Sequence, residues 1–163
     1  MFPRDLITAV EQTLSVLIEN RSMLVTAESC TGGLISAVLT EIPGSSKVLD
    51  RSFVTYSNKS KLDCLNVPLR TLERYGAVSR EVALAMAMGA LDNSNAEYSV
   101  AVTGISGPTG GTLNKPVGLV HVVAAKSDNY IHRKFEFGNS GRTSIRFRAV
   151  IEALELVKKI VAN

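Results

Sequence analysis

Val25-Thr-Ala-Glu-Ser-Cys-Thr-Gly-Gly33 runs from an apolar stretch into a hydroxyl, a thiol and a glycine pair. Met23–Ala27 reads as a short buried strand. Beyond the glycines, Leu34–Thr40 reads as a helix until Ile42-Pro43-Gly44 breaks it. Strand, tight turn and helix in that order put Ser29 where a nucleophile is exposed and the N–H groups of the next turn are free. The same helix start favours anions. One segment thus offers a nucleophile, an oxyanion site and a phosphate cradle. It equally describes a βα loop whose serine does no more than cap a helix.

Outward from this stretch, Leu6, Val10, Leu14 and Leu17 recur at helical spacing and predict an amphipathic helix over 4–20. Ser52–Ser57 is rich in β-formers, Lys59–Leu65 has the length of a short helical turn, and Pro68 breaks the chain. Ser79 suits an N-cap, with Val82, Ala85, Met86 and Gly89 on one face of the helix that follows. Tyr98–Thr103 reads as a strand running into a second Gly-rich loop, Gly104–Gly111. Gly118–Ala125 and Tyr130–Phe137 form a strand pair about the polar turn Lys126–Asn129, and Val150, Ala153, Leu154, Val157 and Ile160 mark a closing helix. Helices alternating with strands early, then an antiparallel pair, predict an α/β fold: a three-layer α/β/α sandwich with a mixed, mostly parallel sheet. Ligands in such sheets bind beyond the carboxyl ends of strands, and both Gly-rich loops leave strands there, so one shared cleft is expected.

The 163 residues suit one domain spanning 1–163, and 45% apolar with 20% charged residues is ordinary for a globular chain. A net charge of +3 is too small to point to nucleic acid. No apolar run is long enough for a bilayer, and Met-Phe-Pro-Arg-Asp-Leu lacks the layout of a secretory signal. Two cysteines, Cys30 and Cys64, make no disulfide framework and fit a reducing cytoplasm. His121 and His132 stand apart from any metal spacing, so no metal is expected.

A serine needs a base. The two histidines have no acidic partner at a suggestive spacing. Lysine is the alternative where burial or a neighbouring cation depresses its pKa, and Lys59 and Lys61 both follow the segment carrying Tyr56. Lysines in such places are usually solvated. Tyr56 suits a proton relay or a lysine-orienting group, and equally plain packing. Cys30 is intrinsically the better nucleophile but lies one residue deeper in the turn; Cys64, between Leu62 and Leu65, reads as core. In the second loop, Thr103, Gly104, Ser106 and Gly107 bring backbone N–H groups toward a ligand, or simply make a tight turn. Arg142 and Arg146, one helical turn apart, have the spacing of a phosphate or carboxylate clamp, although exposed arginines are commoner.

Together, Thr26–Gly33, Ile42–Ser46, Phe53–Asn58 with Lys61, Tyr75–Ser79, Val102–Pro108 with Gly110-Gly111, Lys115–Gly118 and the arginines after Gly138 resemble the CinA C-terminal domain family in family order. Active members of that family are nicotinamide-mononucleotide deamidases. The resemblance implies an α/β/α sandwich, and hydrolysis of the nicotinamide carboxamide to nicotinate mononucleotide and ammonia in pyridine nucleotide salvage, with no metal and no cofactor. By position it makes Ser29 the nucleophile, Lys61 the general base and Tyr56 the supporting tyrosine, with Thr31, Gly32 and Gly33 facing the reacting group or phosphate. Glu28, Cys30, Thr103, Gly104, Ser106, Gly107 and Arg142 complete the expected substrate-binding set. Two positions depart from the family pattern: Thr109 stands where Asp is frequent, and the run before Arg142 is Gly-Asn-Ser-Gly. The family's larger architecture has an additional N-terminal domain, so the form without it is expected here. The expected partners are a mononucleotide and further copies of the chain, with no nucleic acid or membrane. The family's association with competence leaves a non-catalytic nucleotide-binding or protein-interaction module as the rival reading.

Overall fold

The structure, a computed structural model, describes residues 2–163. Helix α1 (Arg4–Glu19) leads into strand β1 (Leu24–Glu28) and helix α2 (Leu34–Glu41). A turn of 3₁₀ helix over Ser45–Lys47 precedes β2 (Leu49–Val54), which is followed by α3 (Asn58–Leu65), α4 (Leu69–Tyr75) and α5 (Arg80–Asp92). The chain closes with β3 (Tyr98–Gly104), β4 (Leu119–Lys126), β5 (Asn129–Glu136) and α6 (Arg142–Val161). The sheet order is β2-β1-β3-β4-β5. β1 runs parallel to β2 and β3, β4 is antiparallel to β3, and β5 is antiparallel to β4. Four strands therefore share a direction, and β1, β2 and β3 present their carboxyl ends at one edge.

Period-two alternation builds the two cores. On one face Leu24, Val100, Val102, Val120, Val122 and Ala124 meet the apolar stripes of α1, α2 and α6, including Leu6, Val10, Ile35, Val150 and Leu154. On the other face Val25, Ala27, Ala101, Val123 and Ala125 meet Val82, Met86 and Ala90 of α5, with Leu65 and Leu72 from α3 and α4. The alanines on this second face leave room for α5 to lie close to the sheet. The result is the expected mixed-sheet sandwich.

Local chemistry moved some boundaries. The predicted strand 52–57 is shifted: β2 begins at Leu49, paired with Leu24, and ends at Val54. Tyr56 has β propensity but is 62% exposed, and Ser57 is the N-cap of α3, where its side chain and that of Ser60 form a capping box. Asn66, with φ of +53°, closes α3, and Pro68 opens the next helix, since a helix starting at Leu69 needs no N–H from the residue before it. Cys64, expected in the core, is exposed on α3. Ser79 caps α5 as expected, its Oγ accepting from Val82 N at 3.2 Å. No described helix is long and apolar enough to cross a membrane.

Candidate active site

Ser29 lies one residue past β1, and its N–H still donates to the Val102 carbonyl at 3.0 Å, so the sheet itself fixes the candidate nucleophile. The chain then turns: Gly32 N donates to the Ser29 carbonyl at 3.0 Å, and Gly32 and Gly33 take φ of +60° and +89°, a region that glycine occupies without strain. The free N–H groups at the start of α2 are satisfied from within. The buried Glu28 carboxylate accepts from Ile35 N and Ser36 N, each at 3.0 Å. This overturns the expected phosphate cradle, because the charge that the helix N-terminus attracts belongs to the protein.

The β2 side supplies the candidate base. Lys61, in the first turns of α3, is 1% exposed; its Nζ lies 3.0 Å from Ser29 Oγ and donates to the Thr55 carbonyl at 2.7 Å. Among the described residues it joins no ion pair, whereas exposed Lys59 pairs with Asp63 at 2.6 Å. Burial lowers the Lys61 ammonium from 10.5 to about 8, and the Cys30 side chain acts in the opposite direction. Cys30 is placed the other way: burial pushes its thiol up to about 11, which disfavours the thiolate a nucleophilic cysteine needs. Of the alternatives left open by the sequence, the geometry favours Ser29 with Lys61. His121 and His132 contact each other (Nδ1 to Nε2, 3.0 Å) on β4 and β5, outside the Ser29 cavity.

That cavity, about 340 Å³, is lined by nine of the expected residues: Ser29, Cys30, Tyr56, Lys61, Thr103, Gly104, Ser106, Gly107 and Arg142. The roles differ in detail from those expected. The Tyr56 hydroxyl accepts from Arg142 Nη2 at 3.0 Å, so it orients the arginine, and the Thr55 carbonyl orients the lysine. Arg142 also donates from Nη1 to the Gly107 carbonyl at 2.9 Å, joining two walls of the cavity. Thr103 Oγ1 donates to the Ala77 carbonyl at 2.8 Å, holding in place the wall of Ala77 and Val78. A side chain at Gly104 would meet the Leu119 carbonyl and Val120 Cγ2, each at 2.8 Å. Gly104 therefore owes its place to β4 rather than to a ligand.

Four expected residues, Glu28, Thr31, Gly32 and Gly33, lie outside the lining. The clamp of two arginines does not form either: Arg146 Nη2 donates to the Thr31 carbonyl at 2.6 Å and braces the nucleophile turn from behind. Sequence reasoning assigned no role to Ala77 and Val78, although the run Tyr75–Ser79 carried a signal. The Thr55 carbonyl had none, because a backbone acceptor leaves no mark in residue identity. No group of three potential metal ligands occurs among the described residues. A cavity of about 430 Å³ at the other end of the sheet is lined by Met88, Leu91, Asp92, Ala96, Glu97, Tyr98, Lys126 and Ser127.

A mixed-sheet α/β/α sandwich carrying a buried Ser–Lys pair where three strands end is the class that fold and site define. Residues 7–161 match the CinA C-terminal domain, and the chain belongs to that family. A putative competence-damage inducible protein of Caldicellulosiruptor saccharolyticus is 46% identical over 157 residues, 96% of this chain and 38% of that protein. A CinA-like protein of Endomicrobium trichonymphae is 46% identical over 99% of this chain and 37% of its own length. The chain thus spans a little over a third of these relatives. Among solved structures, the competence/damage inducible protein CihA from Agrobacterium tumefaciens superposes with a TM-score of 0.96 at 48% identity, covering 100% of this chain and 99% of that one. A CinA superfamily protein from Escherichia coli gives 0.87 at 31% identity, with 100% and 95% covered.

Proposed function

We propose that the chain hydrolyses the carboxamide of nicotinamide mononucleotide to nicotinate mononucleotide and ammonia through an acyl-enzyme on Ser29. The observation that carries this reading is the 3.0 Å approach of a buried, unpaired lysine amine to a serine hydroxyl. With its pKa lowered to about 8, Lys61 is neutral in a usable fraction at physiological pH. Its lone pair takes the Oγ proton as Oγ attacks the carboxamide carbon. As the C–N bond breaks, the Lys61 ammonium returns that proton to the departing nitrogen, which leaves as ammonia. Water then attacks the ester, Lys61 takes the water proton, and the C–O bond to Ser29 breaks as Oγ is reprotonated. Arg142, held between Tyr56 and Gly107 at the cavity wall, suits the phosphate of the mononucleotide. The substrate's identity rests on the family resemblance together with this cavity.

The test is ammonia release from nicotinamide mononucleotide by the purified chain. Ser29→Ala should abolish it, since alanine fits the same turn, and Cys30→Ala should retain most of it. No release by the wild type rejects the substrate, and an active Ser29→Ala beside a dead Cys30→Ala reverses the nucleophile.

A further inference from the structure

We infer that the Ser106 hydroxyl is an oxyanion donor that stabilises the tetrahedral intermediate formed on Ser29. The inference rests on Ser29 being acylated, as proposed above, and is independent of which amide is cleaved.

Six buried hydroxyls among the described residues lack a hydrogen-bond partner: those of Thr26, Thr31, Ser52, Thr55, Ser99 and Ser106. Only Ser106 also lines the cavity that holds Ser29 and Lys61. It is 4% exposed, so water does not routinely compensate its hydroxyl. A buried polar group left unpaired is unfavourable, and one on the wall of a reaction cavity is a group awaiting a ligand atom.

Topology supplies the direction. β1 lies between β2 and β3, so the chain segments beyond those two neighbours flank Ser29. The segment after β2 brings Lys61, and the segment after β3 brings Ser106, two residues past Gly104. When the Ser29 proton leaves toward Lys61, negative charge grows on the acyl oxygen. The side opposite the base is where a donor can meet it. Of the donors expected at Thr31–Gly33, Gly32 N–H is already bonded to the Ser29 carbonyl, and Thr31 and Gly33 are not among the residues lining the cavity. The Ser106 hydroxyl is directed at the Cys30 thiol, also on the cavity wall; sulfur is a weak acceptor, so an acyl oxygen carrying negative charge draws that hydrogen away from it.

The experiment measures the rate at which a small fluorophosphonate labels Ser29 in the wild-type chain and in Ser106→Ala and Ser106→Cys. In this reaction an Oγ–P bond forms and the P–F bond breaks. Fluoride leaves, the Ser29 proton passes to Lys61, and the phosphoryl oxygen takes up the developing charge. Wild type should label at Ser29, and both variants should label roughly 10²-fold more slowly. The pH midpoint of labelling should stay where Lys61 sets it. The cysteine variant preserves most of the side-chain volume, so slow labelling there is not a packing effect. Labelling of either variant within threefold of the wild-type rate overturns the inference. So does a shifted pH midpoint, which would mean that Ser106 merely positions Lys61, and so does a wild type that does not label at Ser29. A chain that labels as described but releases no ammonia from nicotinamide mononucleotide refutes the substrate and leaves the oxyanion donor standing.

Discussion

Replacing Lys61 by methionine should destroy activity and make the protein more stable. The ammonium is held at about 8 rather than 10.5 because burial penalises its charge. A gap of about 2.5 pH units corresponds to about 3 kcal/mol at 1.36 kcal/mol per unit. The sign follows from linkage: a base whose native pKa is lowered burdens the folded state fully below pH 8, and the burden lifts as pH rises from 8 toward 10.5. Methionine has similar length and no charge, so at pH 7 it removes that penalty. Against the gain stands the Thr55 carbonyl, which loses its 2.7 Å donor, a loss of about 1–2 kcal/mol in a buried place. A net gain of about 1–2 kcal/mol remains, or a rise in Tm of roughly 2–8 °C for a domain of this size. Thermal unfolding by circular dichroism at pH 7 and at pH 10 checks both size and sign, because the advantage over wild type should shrink at the higher pH. A variant that melts well below wild type at pH 7, or an advantage that grows with pH, would refute the claim that Lys61 is an unfavourably buried charge kept for chemistry.

Four further outcomes are expected. Turnover at low substrate should rise about tenfold per pH unit below 8 and level off above it, as neutral Lys61 accumulates; a flat profile from pH 6 to 9 removes lysine as the base. Arg142→Ala should weaken deamidation of the mononucleotide roughly 10–100-fold while hardly changing the slow reaction of free nicotinamide, and Tyr56→Phe, which frees the arginine, should raise KM more than it lowers kcat. Burial, reinforced by His132, Lys134 and Lys115, lowers His121 from 6.5 to about 4, so stability should be full above pH 6.5 and fall as pH drops toward 4, a loss that His121→Asn should reduce in denaturant titrations.

Much of the fold was legible because burial writes a period into sequence. The valines and alanines of β3 and β4 mark the two faces of the central sheet, and the spacing of Leu6, Val10, Leu14 and Leu17 marks α1. The end of β2 was not legible. Thr55, Tyr56 and Ser57 continue the β-forming composition, but the capping box of Ser57 and Ser60 starts a helix and outweighs local propensity. Helix α4 was hidden because Pro68 reads as a terminator when it also begins the next element. At the site, residue types announced Ser29, Lys61 and Arg142. They did not announce which acceptor each cation meets: Lys61, Arg142 and Arg146 each donate to a carbonyl, of Thr55, Gly107 and Thr31 respectively, and any residue carries a carbonyl.

Glu28 explains why a Gly-rich turn before a helix misleads here. Such a turn attracts anions because the first N–H groups of the helix lack partners. Here β1 delivers a carboxylate one residue before the nucleophile, and it occupies Ile35 N and Ser36 N from the buried side. The consequence is chemical as well as structural. An external phosphate drawn to the start of α2 would compete with the acyl group for the space next to Ser29. With that helix end filled, the cation that remains on the cavity wall beside Lys61 is Arg142, delivered from the other end of the chain by α6. On the proposed function, bond making falls to the ends of β1 and β2, and anion recognition to α6 with the loop after β3. A ligand long enough to reach from Ser29 to Arg142 engages both, which is why a mononucleotide should be cleaved far better than its base alone.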